Sequence, residues 1–200
     1  EIAIHLSNTT LKNQYRKDYS SYHVIDYDIE TGKVLRKATW QGAADGSAWS
    51  RGQGWGLYGY VMMYRFSHDK RYLKQARKIA NFILKHPNLP ADKIPYWDFD
   101  APQIPLGKRD ASAGALIASA LLELGQYTKG AERDGYINNA KQMLISLSGE
   151  RYRAKVGDNG GFLLKHSTGA LPLNSEIDVP LIYADYYFLE ALKRYKDWYL

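Results

Sequence analysis

The chain has 200 residues, with 17 Tyr, 5 Trp, no Cys and a formal charge of +6. That length is enough for one domain with a real core, and the missing cysteines exclude disulfides and thiolate metal sites. The basic residues read as spread along the chain with no block of like charges, which argues against a nucleic-acid arm and mildly favours acidic ligands. No apolar run approaches the roughly 20 residues of a membrane span.

The start, Glu1-Ile-Ala-Ile-His5, carries no methionine and no processing segment, and it reads as the interior of an amphipathic helix in a longer polypeptide. Ile2, Ile4, Leu6, Thr9 and Leu11 keep an imperfect helical period that ends around Lys17. Residues 21–27 and 33–39 read as two strands around the turn Asp28-Ile-Glu-Thr-Gly32, a β-hairpin projecting from helices. After a loop from Gln41 to Gly46, Ser47 is the expected N-cap of the next helix.

That helix opens with Trp49-Ser-Arg-Gly-Gln-Gly-Trp-Gly-Leu-Tyr-Gly-Tyr60. Each mid-helix Gly costs about 1 kcal/mol against Ala, so Gly52, Gly54, Gly56 and Gly59 must serve a close approach. Either a ligand comes to the backbone near Trp49, Trp55 and the unpaired-looking Arg51, or another helix packs there. The helix runs on apolar all round through Phe66, as buried helices do. Asp69 caps a half-exposed helix from Lys70 to Lys85.

The pattern then repeats. A Pro-rich loop leads into a small, apolar helix from Ala111 to Leu124, followed by a polar one from Glu132 to Leu147. A Gly-rich loop with an expected hairpin around Phe162 to Lys165 follows, and Pro180 opens the last helix. Alternating inner and outer helices, with the long loops on one side, describe helical hairpins stacked in a ring or solenoid. About three hairpins are visible where a closed toroid has about six.

The inner-helix entries then converge at one mouth: His23, Gln41, Trp49, Arg51 and Trp55, then Trp97, Asp98, Arg109 and Asp110, then Lys165, His166, Ser167 and Glu176. His23 is a proton-transfer group, a donor or simply structural. Asp98 and Asp110 are candidate acids, although Asp110 before Ala-Ser-Ala is a good N-cap and Asp98 equally suits an Asx-turn. Gln41 has no local capping job. There is no phosphate loop, nucleophile elbow or zinc-protease motif, and no metal or cofactor is assigned.

Tyr22-His-Val-Ile-Asp-Tyr-Asp, Trp40-Gln, the Trp49 to Gly59 run, Pro95-Tyr-Trp-Asp-Phe-Asp-Ala-Pro, Arg109-Asp-Ala-Ser-Ala and the closing Tyr183-Ala-Asp-Tyr-Tyr-Phe-Leu-Glu-Ala together resemble the unsaturated glucuronyl hydrolases, glycoside hydrolase family 88. The sister rhamnogalacturonyl hydrolases usually carry Asn where this chain has Gln53. The resemblance implies an all-α (α/α)6 barrel of which this chain is the C-terminal half, residues 1–200 forming part of one domain. It implies removal of a 4,5-unsaturated uronic acid from lyase-generated oligosaccharides by hydration of the vinyl ether. An aspartic acid protonates C4, water adds at C5, and the hemiketal opens.

By the same resemblance His23, Gln41, Trp49, Arg51 and Trp55 are pocket residues. Arg51 and His23 would lie near the uronate, Gln41 near hydroxyls, and Trp49 and Trp55 would form stacking walls. Lys165, His166 and Ser167 would read the next sugar and any sulfate. The family's two catalytic aspartates lie in motifs absent from these residues, so the chain alone is expected to be inactive, its partner the missing N-terminal half of the same polypeptide. The implied compartment is a bacterial periplasm or cytoplasm. Competing readings are a rhamnogalacturonyl hydrolase, a non-catalytic sugar-binding module and a structural helical-repeat scaffold.

Overall fold

A computed structural model describes residues 1–200. Its helices are α1 (Ile2–Asn13), α2 (Ser50–Ser67), α3 (Lys70–Lys85), α4 (Ala111–Gln126), α5 (Gly130–Ser148) and α6 (Ile182–Tyr199). Two antiparallel hairpins accompany them, β1 (Val24–Tyr27) with β2 (Val34–Ala38), and β3 (Ser167–Ala170) with β4 (Ser175–Val179). No helix is long and apolar enough to cross a membrane.

The centre is α4. Ala, Gly and Ser let neighbours approach on every side, and all of α4 except Gln126 is buried. It packs against α2 and α6, which complete an inner layer, and against α5 outside; α3 covers α2. The expected alternation of inner and outer helices is therefore present. On α3, Tyr72, Ala76, Ile79, Ala80 and Ile83 make one buried stripe at helical spacing.

The three long connections meet at the N-terminal ends of the inner helices, where backbone bonds weld them. Ser50 N–H donates to Trp97 O, Phe99 N–H to Ala48 O, Asp110 N–H to Pro95 O and Ala111 N–H to His166 O. Loops so long carry many backbone polar groups, and pairing them with each other satisfies them without a sheet.

Several expectations shift. α1 stops at Asn13, not Lys17, because Gln14 Nε2 turns to the carbonyls of Tyr22 and His23 while Arg16 binds Ser20, Ser21, Asp45 and Ser47. Ser47 does not cap α2: Trp49 occupies that position, and Ser47 Oγ bonds Ala44 O and Asp98. The second hairpin begins at Ser167, since the Leu163 and Leu164 amides are taken by the Asp185 carboxylate.

Most of the 27 basic residues are spread along the chain, but the net charge is not. Lys70, Arg71, Lys74, Arg77, Lys78 and Lys85 put six cations and no acid on α3. The other 21 basic residues equal the 21 acidic ones, so the net +6 of the whole chain sits on this one helix.

The glycines of α2 split by neighbour. A Cβ at Gly54 would lie 3.0 Å from Leu116 Cδ2 and 3.3 Å from Ile117 Cγ1, whereas one at Gly59 would meet nothing within 4 Å. Gly54→Val is expected to lose about 1–3 kcal/mol by overpacking the α2–α4 contact. Gly59→Ala should gain about 0.5–1 kcal/mol from reduced backbone entropy. Urea midpoints for the two variants check both signs.

Candidate active-site cleft

A cleft of ≈ 650 Å³ opens between α1 and the first turns of α2. Its polar end is built around Trp49. The His23 ring lies 4.4 Å from the Trp49 ring on a tilted plane, and the Arg51 guanidinium carbon lies 4.6 Å from the same indole. Gly52 makes room for this: its Cβ would be 2.9 Å from Trp49 Cε3. Trp55, one turn on, is 40% exposed and so has a face to offer. Tyr187 packs against it in a T-shaped contact at 5.3 Å and in turn meets Tyr58 at 5.3 Å.

His23 is fixed by its surroundings. Its Nδ1 accepts the backbone N–H groups of Trp40 and Gln41, each at 3.2 Å, with Thr39 Oγ1 also 3.2 Å away. Two incoming donors assign a lone pair to Nδ1, so the neutral ring carries its proton on Nε2. Burial, then the Arg51 charge, holds its pKa below the ordinary 6.5. The imidazole is therefore a neutral hydrogen-bond donor at pH 7. Gln41 lines the same cleft and donates from Nε2 to Gly169 O at 3.0 Å.

Arg51, which looks unpaired in the sequence, is 3% exposed and paired. Its Nη1 donates to Asp110 Oδ2 at 2.6 Å and to Thr168 O at 2.8 Å, and Nη2 donates to Gly169 O at 2.7 Å. Asp110 also caps α4, accepting from the Ser112 and Ala113 amides. Asp98 is wholly buried, with Oδ2 accepting from Ala43 N–H and Ser47 Oγ and Oδ1 from Asp100 N–H. The structure thus assigns both aspartates to architecture. Burial raises the Asp98 pKa, yet no open face connects it to the cleft.

The mouth is also narrower than the sequence implies. Lys165 Nζ binds Glu150 O, His166 Nδ1 sits 2.6 Å from Asp178, and Ser167 is fully buried. Backbone bonds from Lys165 to Tyr152 and from Ala111 to His166 turn this segment toward α5, so none of the three side chains joins the cleft lining. Conversely, sequence reasoning assigned no site role to Gln53, Tyr183 and Tyr187. Gln53 Oε1 accepts the Ser21 amide and its Nε2 donates to Trp49 O, pinning the segment before β1 onto α2. The Tyr183 ring faces Arg51 at 5.4 Å, and burial raises its pKa to about 12. Their available signal was position: Gln53 follows the Arg-Gly pair, and the tyrosines sit in the first turns of an inner helix.

No protein-family model matches the chain. An unsaturated glucuronyl hydrolase of Formosa agariphila is 51% identical over 193 residues, covering 96% of this chain and 48% of that protein. A solved structure of an unsaturated glucuronyl hydrolase specific for heparin superposes with a TM-score of 0.93 at 56% identity, covering 96% of this chain and 51% of that one. By sequence and by fold, the chain matches one half of an unsaturated glucuronyl hydrolase. An unsaturated chondroitin disaccharide hydrolase of Streptococcus pneumoniae is 36% identical over 94% of this chain and 48% of its own length. The chain spans about half the length of the curated relatives it matches. Unsaturated glucuronyl hydrolases are α/α toroids, and the inner layer of α2, α4 and α6 is half of such a ring.

Replacing Arg51 or Asp110 alone by Leu leaves an uncompensated buried charge, so each is expected to lose about 3–5 kcal/mol. Replacing both together should lose less, as urea denaturation of the three variants will measure. A pH dependence follows from His23 and from His86, whose pKa burial also lowers from 6.5. The unfolded state binds these protons more readily. Stability should be full above pH 6.5 and fall as pH drops from there through the lowered folded-state values, with His23→Gln removing part of the slope.

Proposed function

We propose that this chain is the C-terminal part of a single (α/α)6 domain whose whole polypeptide removes 4,5-unsaturated uronic acid from lyase-generated glycosaminoglycan disaccharides. The names of the relatives support the activity and the substrate class. What carries the reading is the chemistry of the cleft. An indole with a free face, the Trp49–His23 stack, an imidazole Nε2–H and the Gln41 amide converge there, but no Asp or Glu lines it.

Such a surface holds and orients a sugar. Trp55 and Trp49 supply apolar walls, while His23 and Gln41 supply neutral hydrogen bonds to ring substituents. It has no group to protonate C4 or to take a proton from the attacking water, so carboxylates outside these residues supply that step. Proton delivery to C4 and addition of water at C5 give a hemiketal, which opens and releases the neighbouring sugar. Arg51 contributes by holding Trp49 and the β3 carbonyls rather than as a free cation. The exposed apolar side chains of α1, α2 and α6, such as Leu6, Phe66 and Leu189, form the face that the N-terminal half would cover. The compartment we assign is a bacterial periplasm or cytoplasm.

The same carboxylate-free cleft suits a non-catalytic sugar-binding module, and one assay separates the two. The ultraviolet absorbance of an unsaturated chondroitin disaccharide should stay constant with this chain and decay with a polypeptide extended upstream. In that longer protein Trp55→Ala should raise KM about 2- to 10-fold, the worth of one aromatic contact. Decay with this chain alone would overturn the upstream placement of the acid. Calorimetric binding without decay in either protein would establish the module.

A further inference from the structure

The +6 concentrated on α3 does not face the cleft. Four of those six cations, Lys70, Lys74, Arg77 and Lys78, line a second groove of ≈ 520 Å³ on the outer layer, with Tyr64 and Asn81 among its other walls. One acid faces it: Glu132 from α5, which pairs with Arg77 at 2.8 Å. Outside the groove Arg71 is neutralised by Asp69 at 2.7 Å. The Lys78 ammonium lies 5.0 Å from the Tyr19 ring centroid, a cation–π contact that holds it without pairing it to an acid. Lys70 and Lys74 make no hydrogen bond or ion pair.

A lysine-rich outer helix is ordinarily a solvated face balanced by acids at helical spacing. Here the acids are absent from the helix, the surface is concave, and the rest of the chain is neutral. We propose that this groove is an accessory docking site for a linear anionic polysaccharide bearing uronate or sulfate groups. Lys70, Lys74, Arg77 and Lys78 recur along one side of the first half of α3, a span of about 12 Å, which sets cations in a row along an extended polyanion. The Tyr64 ring and the Asn81 amide add the apolar face and the directional donor that sugars use. A bilayer is the poorer fit, because α3 exposes no large apolar side chain to insert. The site lies apart from the cleft and stands or falls independently of the hydrolase reading.

The test is calorimetric titration of the full chain with a size-defined chondroitin sulfate oligosaccharide whose non-reducing end is saturated, at two salt concentrations. Lacking the unsaturated sugar, this probe separates the groove from the proposed substrate of the cleft. K70E/K74E is expected to weaken binding at least tenfold at low salt and to flatten its salt dependence, as loss of released counterions requires. K33E/K155E, with the same charge change on exposed loops, should stay within twofold, and circular dichroism should show both variants folded. Equal weakening by both variants would overturn the site in favour of general electrostatics. Tighter binding to duplex DNA or to anionic vesicles than to the oligosaccharide would overturn the proposed occupant.

Discussion

The Arg51–Asp110 pair is the point on which the mouth of this half-ring depends. Two charges with side chains 4% and 0% exposed cost several kcal/mol each to desolvate, and only excellent geometry with further hydrogen bonds offsets that. Those bonds also choose the topology. Asp110 is the N-cap of α4, Arg51 lies in the first turn of α2, and the Thr168 and Gly169 carbonyls belong to β3 before α6. One guanidinium therefore ties together the entrances of all three inner helices. It also supports one side of Trp49 while His23 stacks on that same indole, so the structural knot sets the position of the sugar wall.

A second polar network holds the same three helices further along. Arg194 of α6 pairs with Glu123 of α4 at 2.9 Å and donates to Ser119 O, while Glu190 accepts the Tyr58 hydroxyl of α2. Tyr58 in turn meets Tyr187, which packs on Trp55 in a T-shaped contact. Each stacking wall of the cleft thus ends on a buried ion pair: Trp49 on Arg51–Asp110, Trp55 through two tyrosines on Arg194–Glu123. Ion pairs of this sort contribute little net stability but penalise misregistered packing, because any shift strands a charge. That suits a cleft whose walls must be held without a ligand.

The helices were legible because their signals are local. The stripe of α3, the small apolar residues of α4 and the Asp69 and Asp110 caps each lie within one or two turns of sequence, and the structure keeps them; α2, apolar all round in sequence, is instead open on one side, with Trp55 and Phe66 exposed. The resemblance named the cleft residues, and five of them, His23, Gln41, Trp49, Arg51 and Trp55, do gather around α2, with Arg51 behind the wall rather than in it. What sequence could not show is which partner each polar group takes. Arg51 is 59 positions from Asp110, 117 from Thr168 and 118 from Gly169, and nothing local distinguishes a buried arginine from a free one. The glycines divided in the same way: Gly54 serves a helix contact and Gly52 an indole. Lys165 and His166 lie outside the lining of the cleft, because neighbouring loops, not their own segment, decide where they point. The charge on α3 was visible in the sequence and emerges once residues are counted by helix rather than over the whole chain.

The division of charge between the two concave surfaces has a physical logic. The cleft offers no unpaired cation: Arg51 is spent on Asp110 and two carbonyls, and His23 is neutral. A free arginine there would hold an anionic sugar tightly before and after reaction alike, and uniform binding of that kind does not lower the barrier between the two states. Neutral donors and indole faces orient a small anion with a weaker grip. Long-range attraction needs the opposite, unpaired and exposed lysines whose field reaches about a Debye length, roughly 8 Å at physiological salt. If the cleft and the groove have the proposed roles, placing those lysines on an outer helix keeps the attraction for a polyanion away from the site a product leaves. The balance of 21 against 21 over the rest of the chain leaves the net charge on α3, four of whose six cations line the outer groove.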